Sequence, residues 1–220
     1  MTAPCLPRNW TVAAALTIIL AGTCWAADSS RPKPDPHSPY WFVKLGEFDA
    51  EQNLGLLEGA TEEVAGVFGS GHRLGSKIWG EVEFGLAGRD HSVTPGVLPP
   101  GTDDPTLDIL WVSYSFVGRF TIGRVDPFLG LGLGVGYAEL EDAADIADGP
   151  FAPPDLEIGD EFGAIFHFRV GLDIAVTGRS YLGLEWRKTS FDADFGAFTN
   201  GSTDIGGTSA LLTYKRTWGH

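Results

Sequence analysis

The side chains of this 220-residue chain that could do chemistry fall into two sets with different spacing. In the first, charges stand at alternate positions: Glu81 with Glu83, Glu185 with Arg187, and His167 with Arg169 and Asp173, while Lys44 and Lys215 sit in runs of the same kind. A spacing of two puts side chains on one face of a β-strand, so these groups converge only if their strands share a sheet. An imidazole titrates near physiological pH and serves as a base or a metal ligand. His167, however, has no Cys or His partner at metal-ligand spacing, and the chain holds no His-x-x-x-His pair. The other histidines (His37, His72, His91 and His220) fall in tethers, turns or ends. Nucleophilic catalysis would need a Ser–His pair with an orienting carboxylate. Ser190, within Arg187-Lys188-Thr189-Ser190-Phe191-Asp192, has no histidine beside it. Four acids against four bases, with His167 among them, instead suggest a network of buried ion pairs, because buried charge is tolerated only when paired.

The second set is acidic and lies between the runs. Glu141, Asp142, Asp145 and Asp148 offer oxygen ligands of the kind Ca²⁺ and Mg²⁺ take, and could bridge weakly to anionic glycolipid. They match no EF-hand, since the glycine at the sixth position and the closing Glu are missing. Asp49, Glu51, Glu58, Glu62, Asp103, Asp104, Asp155, Glu157, Asp192, Asp194 and Asp204 extend the same character to neighbouring segments. Arg31, Lys33, Arg73, Lys77, Arg119, Arg124 and Arg179 fall toward the opposite connections.

The elements that must position the first set are long alternating strands. From Phe162 to Val176 every second residue is apolar, and the residues between are small or charged. Such a run exceeds the roughly 5–6 residues of a strand in a soluble sheet and suits the ~9–11 tilted residues that cross a bilayer. Trp41–Leu45, Ile78–Leu86, Leu110–Phe116, Leu182–Trp186 and Ala210–Trp218 alternate likewise. Leu129 to Tyr137 alternates with Gly130, Gly132, Gly134 and Gly136. A weaker run at Glu63–Leu74, blurred by glycines, brings the expectation to about eight strands, an even number that suits an antiparallel barrel. Short connections fall near Gly75-Ser76, Thr121–Asp126 and Thr177–Arg179. Long ones span 49–62, 90–106, 141–158 and 192–205. Tyr40, Trp41, Tyr114, Tyr137, Trp186 and Trp218 are expected at the interfacial girdles.

The ends set the frame. Arg8, the apolar stretch Trp10–Leu20 and Cys24-Trp25-Ala26 read as a signal peptide over 1–26. A Pro-rich tether over 27–39 and a barrel over 40–220 follow. Cys5 and Cys24 both lie in the signal, so the processed chain carries no thiol. Loss of Arg8 moves the formal charge from −14 to about −15, which argues against nucleic-acid binding.

Val125-Asp126-Pro127-Phe128-Leu129-Gly130-Leu131-Gly132-Leu133-Gly134-Val135-Gly136-Tyr137 resembles a strand of the small outer-membrane β-barrel family, the porin-like or outer-membrane-protein-A-like class. Leu182–Arg187 is similar to the penultimate strand of that family, and Asp204–Ser209 to the entry of its last. The resemblance implies an all-β, eight-stranded antiparallel up-and-down transmembrane barrel in the outer membrane of a Gram-negative cell. Family members commonly end on an aromatic residue that aids assembly. This chain ends Trp218-Gly219-His220, and Trp218 would have to serve two residues early.

An eight-stranded interior is just wide enough for side chains to fill. The expectation is therefore a closed, charge-paired lumen of Lys44, Glu81, Glu83, His167, Arg169, Asp173, Glu185, Arg187 and Lys215, with acidic external loops. That describes a structural or surface-interaction protein without cofactor, metal or catalytic residue. A narrow ion or small-solute channel is the alternative, and a lipid A-modifying enzyme stands behind it. Expected partners are outer-membrane lipid, lipopolysaccharide and the barrel-assembly machinery, with the chain itself a monomer.

Overall fold

A computed structural model of the chain describes residues 38–50, 57–93, 106–141, 160–194 and 203–218. The signal segment, the tether up to His37, and Asp142, Asp145 and Asp148 lie outside the described residues. The strands are β1 (Tyr40–Ala50), β2 (Leu57–Arg73), β3 (Ile78–Val93), β4 (Thr106–Arg119), β5 (Val125–Glu141), β6 (Asp160–Ala175), β7 (Ser180–Ala193), β8 (Thr203–Asp204) and β9 (Gly207–Thr217).

Neighbours in sequence pair antiparallel from β1 through β7, β7 pairs with β9, and β9 returns to β1, so the wall closes. The two residues of β8 pair with the end of β7 and lead through Ile205-Gly206 into β9. They form an interrupted start of the last stave, which leaves an eight-stranded, up-and-down barrel. Among the described residues each of the eight long strands is paired on both sides, the closure that a hydrocarbon-spanning sheet would need.

Three tight turns lie at one end. Leu74 and Gly75 both donate through their amides to the Ile78 carbonyl, at 2.9 and 3.0 Å. Gly123, with φ of 66°, supplies the left-handed residue that β4–β5 needs. Thr177 Oγ1 accepts from the amides of Arg179 and Ser180 between β6 and β7. Both ends of the barrel chain meet here, where the Trp218 amide donates to the Pro39 carbonyl at 2.7 Å.

The outside is a belt of apolar side chains. Leu45, Phe68, Leu86, Leu131, Val135 and Phe166 are among the large hydrophobics exposed on it, while residues of the opposite parity are buried. Aromatic pairs lie within this belt: Trp41 meets Tyr214 edge-on at 5.5 Å near the short turns, and Tyr137 meets Phe162 at 4.8 Å toward the long connections. Two girdle expectations need correction. Tyr40 shares the parity of Phe42 and Lys44 and points into the lumen, 3% exposed. Trp186 packs against Phe168 midway along its strand rather than at a rim. Strands β2 and β3 are also longer than their apolar runs: they remain paired out to Leu57 and Val93, past register shifts between Glu58 and Glu63.

If this face meets hydrocarbon, a cation at its middle is costly. Leu131→Arg is expected to destabilise the barrel by about 2–4 kcal/mol, read by denaturant titration after folding into phospholipid vesicles. An unchanged midpoint would mean that the belt faces water.

Candidate functional site: the charged lumen

The inward faces of seven strands (all the long ones but β2) carry the ionisable groups, and the barrel brings them together in two connected clusters. The first centres on Glu83, fully buried on β3. Lys44 Nζ from β1 donates to its Oε1 at 2.9 Å and to Glu185 Oε2 at 2.8 Å. Arg187 Nη2 reaches Glu83 Oε2 at 2.9 Å and Glu185 Oε1 at 2.7 Å. Arg169 spans two acids, giving one guanidinium nitrogen to Glu83 and another to Glu81.

Glu81 carries the network to the second cluster, nearer the short turns. Arg119 Nη2 donates to Glu81 Oε1 at 2.9 Å, while its Nη1 donates to Asp126 at 3.0 Å and Asp173 at 2.7 Å. Lys215 donates to Asp173, and the Tyr40 hydroxyl to Glu81. Aromatic rings cover the cations: Arg119 lies 4.9 Å from the Phe128 ring centre, and Lys215 lies 4.6 Å from that of Tyr40. Five acids (Glu81, Glu83, Asp126, Asp173, Glu185) thus meet five bases (Lys44, Arg119, Arg169, Arg187, Lys215).

All nine residues singled out from strand parity lie on this inner face. Arg119 and Asp126 are additions to that set, because in sequence they stand as members of a turn and its basic edge. Arg119 continues the phase of Ser113, Ser115 and Val117, and Asp126 that of Phe128 and Gly130, so parity is the signal that could find them. Tyr40 joins the lumen for the reason given above.

Glycines on β5 make the room. A Cβ at Gly130 would stand 2.8 Å from Arg169 Nε, and one at Gly132 would overlap the His167 ring. Trp111, one of two tryptophans buried inside the barrel with Trp79, is accommodated by Gly85 of β3.

His167 Nε2 lies 2.8 Å from Ser115 Oγ and 3.6 Å from Glu83 Oε2. In a hydrolytic relay the carboxylate orients the ring through the nitrogen opposite the nucleophile. Here acid and hydroxyl share one nitrogen, and Ser115, His167 and Glu83 are all buried. Ser190 serves the backbone instead. Its Oγ donates to Asp204 Oδ2 at 2.8 Å, while Asp204 Oδ1 accepts from the amides of Phe191 and Gly206. That arrangement fixes the interruption between β8 and β9. Among the described residues no group of acidic, His or Cys side chains could hold a metal ion. Glu141 ends β5, and nothing of its side chain is described.

Above the ion pairs, toward the long connections, the lumen changes character. Phe48, Ile109, Trp111, Ile165, Phe191 and Ile205 are buried together, leaving a cavity of about 10 Å³. An inner face read as small or charged omits this apolar layer. Its residues come from β1, β4, β6, β7 and the link between β8 and β9, and meet only through the barrel's stagger. At the other mouth a cavity of about 30 Å³ lies beside Trp79, Arg119 and Lys215, room for a water molecule or so.

No family model and no curated protein matches the chain. Among solved structures it is similar to Neisserial surface protein A, at 16% identity and a TM-score of 0.54, over 82% of this chain and 97% of that one. It is also similar to the outer membrane protein OprG from Pseudomonas aeruginosa, at 12% identity and a TM-score of 0.54, over 86% of this chain and 99% of that one. Likeness at such identity speaks for architecture and not for activity. The chain has the fold of the small eight-stranded outer-membrane β-barrels.

Proposed function

We propose that this protein is a closed scaffold of the Gram-negative outer membrane, which holds its long acidic connections at the cell surface for contact with other envelope or external components. The observation that carries this reading is a lumen occupied along its length, with ion pairs below and apolar side chains above. A rigid wall joined by long loops is an arrangement in which the loops carry recognition. The Ser115–His167 pair supports no hydrolytic role, since its carboxylate stands on the wrong nitrogen.

Separate deletion of segments 51–56, 94–105, 142–159 and 195–202 in cells tests the proposal, with surface binding and envelope permeability scored independently. Binding is expected to fall with at least one deletion while small-solute uptake stays constant. Uptake that depends on the intact protein, with binding unaffected by every deletion, would favour a channel.

A further inference from the structure

The outer wall of β1–β6 carries charge in a row. Strand register lines up Glu47, Val64, Gly88, Asp108, Glu139 and Asp160 across these six strands, toward the long connections. Its four carboxylates belong to exposed residues, and the row contains no base. Two pairs, Asp108 with Glu139 and Glu139 with Asp160, stand directly opposite each other. Like charges so placed destabilise a sheet. The Tyr137 hydroxyl, which donates to Glu139 at 3.1 Å, brings no charge to offset them.

One step further into the belt the register row is Leu45, Gly66, Leu86, Leu110, Tyr137 and Phe162, and the next is apolar throughout. These rows form a shallow apolar trough of about 600 Å³ on the outside of the barrel, a volume typical of small-molecule sites (~300–1,000 Å³). Gly66 is its notch: with no side chain there, the trough lies open between Leu45 and Leu86. A Cβ at that position would meet both only at ordinary contact, 3.6 and 3.7 Å.

We propose that this face binds a cationic amphiphile, with an alkyl chain in the trough at Gly66 and an ammonium or guanidinium head on the carboxylate row. Charge complementarity selects the head, and position in the belt selects the chain. A lipid whose head carries no cation fills the same trough but leaves the row uncompensated.

Photoactivatable dodecyl probes that differ only in their heads (trimethylammonium, glucoside, sulfate) test this on the full processed chain in phosphocholine vesicles, with labelled residues mapped by mass spectrometry. The trimethylammonium probe is expected to label the trough about fivefold more than the sulfate probe. Labelling around Leu182 and Leu212, on the β7–β9 face, should not depend on the head. Combined Glu47→Gln, Asp108→Asn, Glu139→Gln and Asp160→Asn should abolish the preference. Gly66→Leu, which fits the wall, should lower trough labelling by every probe while circular dichroism stays barrel-like. Equal labelling by all heads in the unmodified protein overturns the proposal. So does a preference that is the same on both faces, or crosslinks that join two copies of the chain through the trough.

Discussion

Glu83→Gln is expected to lower the stability of the folded barrel by about 3–5 kcal/mol, the usual cost of removing one partner from a buried charge cluster. Glu83 is the point where Lys44, Arg169 and Arg187 converge. Without its charge three cations remain close together in a space from which water is excluded. Glu185, which holds Lys44 and Arg187, and Glu81, which holds Arg169 but also serves Arg119 and Tyr40, are two acids against three cations and compensate them only in part. Glu47→Gln, at an exposed residue on the outer wall, should stay within about 0.5 kcal/mol. Denaturant titration of both variants in the same vesicles measures the contrast. A Glu83→Gln loss no greater than that of Glu47→Gln would mean that the lumen is hydrated and its charges screened.

Phe191→Ala is expected to cost about 3–5 kcal/mol through the cavity it leaves. Its ring is 1% exposed and rests on Gly136 and Gly163, whose missing side chains make its seat. The wall cannot collapse onto the gap, because the strands on either side are fixed by the hydrogen-bond ladder. The variant should nevertheless pass no current, since the ion-pair layer beneath still fills the barrel. Loss of stability without conductance is the signature of two closures in series. A leak from Phe191→Ala alone would make the apolar layer the only barrier.

Strand parity makes most of the wall legible. The alternation from Phe162 to Val176 and the glycine ladder of β5 each state which side faces outward. Tight turns fall where Gly, Thr and Asp permit them. What parity cannot supply is relative height. Arg119 and Asp126 sit at strand ends, where a residue reads equally as turn or wall, and the pairing of Arg119 with Phe128 and of Asp126 with Asp173 shows that the inward parity runs on to them. The apolar layer is hidden for a related reason: Phe48, Trp111, Ile165 and Phe191 are inward residues on four strands, and the barrel's shear brings them to one level. The row Glu47–Asp108–Glu139–Asp160 is likewise invisible in sequence, where its members are separated by whole hairpins. The length of β2 is obscured by its glycines and by the register shifts near Ala60.

Closure of the lumen is the claim on which the functional reading turns, and single-barrel current recording in a planar bilayer examines it directly. The protein, inserted and verified as folded, should leave the bilayer at its baseline conductance in both polarities. A stable, large open level that appears with each insertion would contradict the filled interior and make the barrel a channel.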